Sequence, residues 1–196
     1  MKPVHETYLL GITGMIGSGK SYVCRMFARR GIPVYDTDKA AKLAIATNKE
    51  LRDKISQLIP GAFDDNGEYN KKMVASVIFS DEDKRVAITD LVGSWIKDDF
   101  NIFIDDNSLS RIVCVESAIL QSSWLIGMLD GVLVVNAPDD VRLARIIERD
   151  GRTAEEAKAI MRVQSDYSTP TFTITNDGPD VEKDVFSIIK TIYQGK

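Results

Sequence analysis

Apolar residues along this chain fall into short runs spaced by longer stretches with helical periodicity. Tyr8–Thr13, Arg111–Glu116, Val132–Asn136 and the short Thr171–Thr175 read as buried parallel strands, and Pro33-Val34-Tyr35 adds a brief fifth. Between them the spacing predicts helices over Ser21–Arg30, Asp139–Arg149, Thr153–Gln164 and Val181–Tyr193. Strand-helix alternation of this kind predicts an α/β fold, a five-stranded parallel sheet flanked by helices on both faces. Residues 39 to 107 break the rhythm: they read as helical throughout, interrupted by the turn-rich Pro60-Gly61-Ala62-Phe63-Asp64-Asp65-Asn66-Gly67. Such a helical insertion between the second and third strands is a natural substrate lobe. Asp64-Asp65-Asn66-Gly67-Glu68 superficially suggests a calcium loop, but that motif needs glycine at its sixth position, where this chain has Tyr69. The segment reads as a turn. The chain shows no internal repeat, low-complexity tract or domain linker.

Composition narrows the picture. At 196 residues with 44% apolar content, one domain with an inserted lobe can bury a core. A net charge of −4 and a pI of about 5.1 leave no global basic footprint for nucleic acid, so anionic ligands must meet local basic clusters. Cys24 and Cys114 fall in a predicted helix and a predicted buried strand and read as reduced core thiols, not as a disulfide or metal site. His5 is the only histidine. No apolar run approaches the roughly 18 residues of a membrane span, and no signal-peptide pattern precedes residue 8. The expected address is the cytoplasm.

The strongest chemical signal is Gly14-Met15-Ile16-Gly17-Ser18-Gly19-Lys20-Ser21, a complete G-x-x-x-x-G-K-S phosphate-binding loop between a predicted strand and a predicted helix. Glycines let backbone amides turn inward around phosphate oxygens, Lys20 neutralises the outer phosphates, and the Ser21 hydroxyl can ligate Mg²⁺. The helix that begins here adds its positive end. The chain is therefore expected to bind a nucleoside triphosphate.

A second set of residues sits at strand ends. Asp36-Thr37-Asp38 follows the second strand, at the carboxyl edge where open parallel sheets bind ligands. An aspartate there can serve as general base of phosphoryl transfer; equally, Asp38 can cap the helical stretch Lys39–Ala46. Glu116 ends the third strand, as a magnesium-side acid or as simple strand-end exposure. Arg142, Arg145 and Arg149 share one helical face by i, i+3, i+7 spacing, followed by Arg152 and Arg162. They read either as a solvated face partnered by Glu148, Asp150, Glu155 and Glu156, or as a basic segment that clamps phosphate oxygens.

In this order the pieces resemble the dephospho-coenzyme A kinase family across nearly the whole chain. Gly11-Ile12-Thr13 running into the loop is close to that family's opening. Gly31-Ile32-Pro33-Val34-Tyr35-Asp36-Thr37-Asp38 looks like its segment ending Asp-Ala-Asp, whose second aspartate, here Asp38, is the proposed base. Asn66-Gly67-Glu68-Tyr69-Asn70-Lys71, running on to Val77-Ile78-Phe79, is similar to its Asp-Gly-x-Leu-Asp-Arg segment. Arg145-Ile146-Ile147-Glu148-Arg149-Asp150 matches the lid pattern Arg-x-x-x-Arg-Asp, and Gln164 the glutamine that closes it. Ile174-Thr175-Asn176-Asp177-Gly178 looks like the late Ile-x-Asn-x-Gly, whose asparagine sits near the adenine.

The resemblance implies a phosphate-loop core over 1–38, 108–138 and 166–196, a helical acceptor-binding lobe over about 39–107 and a mobile lid over about 139–165. It also implies ATP as co-substrate, Mg²⁺ as metal and dephospho-coenzyme A as small-molecule acceptor. Lys20, Asp38, Arg145 and Arg149 are the expected catalytic residues. Gly14–Ser21, Arg142 and Asn176 are the expected ATP-binding set, and Ser21 and Glu116 the metal set. Departures concentrate on the acceptor side. Gly93-Ser94 replaces the family's His-Pro, and Ala118-Ile119-Leu120-Gln121-Ser122 replaces Pro-Leu-Leu-x-Glu. Lys42 and Lys71 stand for arginines, and Ile160 for another in many members. These changes keep open a different nucleoside or nucleotide acceptor, or a nucleotide-binding module with none. Oligomeric state is left open.

Overall fold

A computed structural model describes residues 7–120, 123–162 and 167–195. The chain divides into two compact units, one of residues 1–35 and 106–196, the other of residues 36–105.

The first unit is built on a parallel sheet. Its strands are β1 (Tyr8–Thr13), β2 (Val34–Asp36), β3 (Ile112–Glu116), β4 (Gly131–Asn136) and β5 (Phe172–Thr175), in spatial order β2-β3-β1-β4-β5. β1 lies in the centre, with Ile12 opposite both Glu116 and Leu133. β2 begins one residue later than the sequence pattern suggests, because Pro33 has no N–H to give the ladder; its carbonyl still accepts from Cys114 N at 2.9 Å. The even-period residues Leu10, Ile12, Ile112, Cys114, Leu133, Val135 and Ile174 form one sheet face. Against it pack Val23, Cys24, Met26 and Phe27 of helix α1 (Lys20–Ala28) and Val181, Val185, Ile188, Ile189 and Ile192 of the last helix (Val181–Gln194). On the opposite face Leu120 and Leu129 lie directly over Gly11, where a side chain would collide with them.

The second unit is helical: α2 (Thr37–Thr47), α3 (Lys49–Leu58), α4 (Lys71–Ser80) and most of α5 (Glu82–Asp106). Every one of these helices starts on an Asp or Asn side chain that accepts an orphan amide: Asp36 from Lys39, Asn48 from Leu51, Asn70 from Met73 and Asp81 from Lys84. Ala44, Leu51, Ile55, Ile59, Ala62, Val74 and Ile88 form its core. In the turn between α3 and α4, Asp64 Oδ1 accepts from the Asn66 and Glu68 amides, which closes a tight loop beneath the Phe63–Tyr69 ring pair.

Downstream in the first unit, α6 (Asp139–Asp150) ends at Gly151 in the left-handed conformation. α7 (Ala154–Arg162) opens on a reciprocal pair: Thr153 N donates to Glu156 Oε2 and Glu156 N to Thr153 Oγ1. The final helix, Val181–Gln194, is α8.

Candidate active site

The phosphate loop leaves β1 at the sheet's carboxyl edge, where the chain's neighbours on either side diverge to β3 and β4. Gly17 and Gly19 have φ of +79° and +89°. A Cβ on Gly17 would lie 2.7 Å from the Arg142 carbonyl oxygen, and one on Gly19 would overlap the Asn176 side-chain amide. Both positions therefore demand glycine for conformation and for space. Gly19 caps α1, whose first turn contains no acidic residue, so the positive end of the helix is left uncancelled behind the loop.

The loop's carbonyls are engaged partly from within the loop and partly from outside it. Lys20 Nζ donates to Gly14 O at 2.7 Å, and Ser18 N to Met15 O at 3.1 Å. Arg142 Nε donates to Ile16 O at 3.0 Å. Arg145 Nη1 reaches Gly17 O at 3.2 Å and Ser18 O at 3.3 Å, while its Nη2 donates to Asn176 O at 3.0 Å. Asn176 Nδ2 completes the set on Ser18 O at 2.8 Å. Arg142 is 3% exposed and paired through Nη1 with Asp139 at 2.9 Å.

At the far end of the loop, Ser21 Oγ donates to Glu116 Oε1 at 2.7 Å. Glu116 is buried at the end of β3, so this carboxylate stands beside the first turn of α1. A hydroxyl with its proton committed to a carboxylate keeps two lone pairs for a cation. Hard oxygen donors from one hydroxyl and one acid suit Mg²⁺, which prefers few protein ligands and completes its shell with water and phosphate oxygens. No group of three or more Asp, Glu, His or Cys side chains that could hold a metal occurs among the described residues.

Two of the expected residues, Asp38 and Arg149, have different surroundings. Asp36, not Asp38, caps the helix, because α2 begins two residues earlier than its apolar pattern suggests. Asp38 is exposed in the first helical turn. Arg149 is exposed and forms a two-bond fork with its neighbour Asp150, at 2.7 and 2.8 Å. That pairing raises the Arg149 pKa and holds the Asp150 carboxyl below its usual range. Gln164, Gln121, Ser122 and His5 lie outside the described residues. Asp139 and Asn136 were not among the expected residues. Asp139 pairs with Arg142, and the Asn136 carbonyl accepts from Asn176 N at 2.7 Å. Their only sequence signal is position, Asn136 at the end of β4 and Asp139 at the start of the helix that follows.

A central β1, a glycine loop wrapped onto a helix N-terminus and a Ser-Glu pair at its end define a phosphate-loop nucleotide-binding protein of the α/β class. A family model described as "Dephospho-CoA kinase" matches residues 8–178. The chain belongs to the dephospho-CoA kinase family. Among curated relatives, "Dephospho-CoA kinase" of Porphyromonas gingivalis (strain W83) is 36% identical over 155 residues, covering 79% of this chain and 76% of its own. The enzyme of the same name from Bacteroides fragilis (strain YCH46) is 29% identical over 192 residues, covering 94% and 93%. Among solved structures, TT1252 from Thermus thermophilus superposes with a TM-score of 0.80 at 27% identity, covering 98% of each chain.

Proposed function

We propose that this kinase transfers the γ-phosphoryl group of ATP to the ribose 3′-hydroxyl of dephospho-coenzyme A, giving ADP and coenzyme A. The observation that carries the reading is the assembled donor site, a complete phosphate loop with Ser21 held on Glu116, within a chain whose family match spans residues 8–178. The amides of Gly14–Ser21 would bind the polyphosphate, with Met15 and Ile16 supplying backbone only. Lys20 would neutralise the outer phosphates. Ser21 and Glu116 would hold Mg²⁺, which when bound offsets the charge of the phosphate oxygens. Asp38 would accept the proton of the ribose hydroxyl as its oxygen attacks the γ-phosphorus and the bond to the bridging oxygen breaks. Arg149, the most exposed of the α6 arginines, would balance charge on the transferred group, and Arg145 adds its positive charge from behind the loop. The buried thiols Cys24 and Cys114 fit a reducing cytoplasmic setting, and no helix among the described residues is long and apolar enough to cross a membrane.

The test is direct. Enzyme, ATP, Mg²⁺ and dephospho-coenzyme A should yield ADP together with coenzyme A, identified by mass. ADP and inorganic phosphate without coenzyme A would refute the acceptor assignment.

A further inference from the structure

Three consecutive carbonyls of the phosphate loop are gripped by side chains from the other half of the first unit. Ile16 O is held by Arg142, Gly17 O by Arg145, and Ser18 O by both Arg145 and Asn176. A trans peptide is planar, so its N–H points opposite to the carbonyl before it. Gripping the carbonyls of Ile16 and Ser18 therefore turns the amides of Gly17 and Gly19 to the opposite side of the loop. We infer that Arg142, Arg145 and Asn176 are positioning residues of the donor site: they clasp the loop by its outward carbonyls and thereby aim its amides at the polyphosphate.

The pattern distinguishes this from ordinary packing. Arg142 is nearly sealed from solvent, its partner Asp139 is 83% exposed on the side chain, and its Nη2 is buried with no acceptor among the described residues. A group buried that way is a poor choice for stability alone, since an apolar residue of similar volume would avoid the desolvation cost. What an arginine supplies here is a donor to Ile16 O. Asn176 is likewise buried, its backbone fixed by Asn136 O and its side chain by the loop, and its own carbonyl takes the second arm of Arg145. Each grip secures the next. The first two turns of α6 are thus anchored to the loop, whereas Arg149, one turn further on, pairs only locally with Asp150 in the bonds described.

The inference rests on Gly14–Ser21 being the donor-phosphate site, and the experiment separates the two. Calorimetric titration of ATP and of inorganic tripolyphosphate would be run on the wild type and on Arg142→Met, Arg142→Lys, Arg145→Met and Asn176→Ala. A clasp predicts that both dissociation constants rise by the same factor, roughly tenfold or more. KM for the acceptor should stay in place, and Arg142→Lys, which retains one donor, should recover part of the loss. If ATP weakens while tripolyphosphate does not, these side chains contact the nucleoside and the clasp is wrong. If neither weakens, the loop holds its shape unaided and the clasp is again wrong. Should Arg142→Met fail to fold by circular dichroism, Asn176→Ala decides, because it removes a grip on Ser18 O without removing a charge. A wild type that binds neither ligand would instead overturn the donor-site reading, and the clasp would fall with it.

Discussion

Ser21 Oγ and Glu116 Oε1 lie 2.7 Å apart, which ties the end of the phosphate loop to the end of the adjacent strand β3 across 95 residues of sequence. The bond depends on register: with Ile12 opposite Glu116, β3 ends beside the point where the loop leaves the sheet. Glu116→Gln preserves shape but removes the charge that orients the hydroxyl. Activity should fall on the order of 10–100-fold, with a higher Mg²⁺ requirement, as expected when a partner of a metal ligand is lost. A Mg²⁺ titration of turnover checks this, and an unchanged requirement would remove Glu116 from the metal site.

Two left-handed glycines make a matched pair. Gly19→Ala meets both a conformational cost of about 1–2 kcal/mol and overlap with the Asn176 amide. It should lose ATP binding. Gly151→Ala has φ of +62° with nothing within 4 Å of its Cβ, so it should show only the conformational cost. Its ATP affinity should match the wild type while its melting temperature drops. Calorimetry on both variants separates strain from steric exclusion.

Much of this architecture is legible in the residues themselves, for identifiable reasons. Continuous apolar runs mark strands buried on both faces, and G-x-x-x-x-G-K-S carries its own geometry. The joining of Ser21 to Glu116 is less legible, because strand order β2-β3-β1 is a property of the sheet and not of any local segment. The arginines are least so. Their i, i+3, i+7 spacing places Arg142, Arg145 and Arg149 on one face, yet spacing cannot distinguish a guanidinium on a loop carbonyl from one in solvent. Arg142 is sealed and Arg149 is open. The cap of α2 is less legible for a local reason: Thr37 and Asp38 belong to the helix, which places the capping role on Asp36.

Cys114 offers a test of the sheet interior. It has no solvent exposure, and burial raises its thiol pKa far above the ordinary 9.0. As pH rises past 9.0 the unfolded thiol ionises while the folded one does not, so stability present below that pH should decline above it. Cys114→Ala should flatten this alkaline slope in denaturant unfolding, at a uniform cost from the small cavity. In the native enzyme Cys114 should resist thiol reagents that label it once unfolded.

Asp36 and Asp38 sit two residues apart and should fail in different ways. Asp36→Ala removes the acceptor of the Lys39 amide and should cost about 1 kcal/mol of stability, the usual loss for a helix cap. Asp38 is exposed within the first turn, where replacing its carboxylate by an amide perturbs folding little. If Asp38 is the base, Asp38→Asn loses the acceptor for the ribose proton, and turnover should drop about 10²–10⁴-fold. ATP affinity should remain near the wild-type value, since the donor loop is untouched. Melting curves and steady-state kinetics on the two variants therefore form a crossed pair: stability should move with residue 36 and turnover with residue 38. Normal turnover in Asp38→Asn would remove it as the base and direct the search to the other acids of the acceptor side.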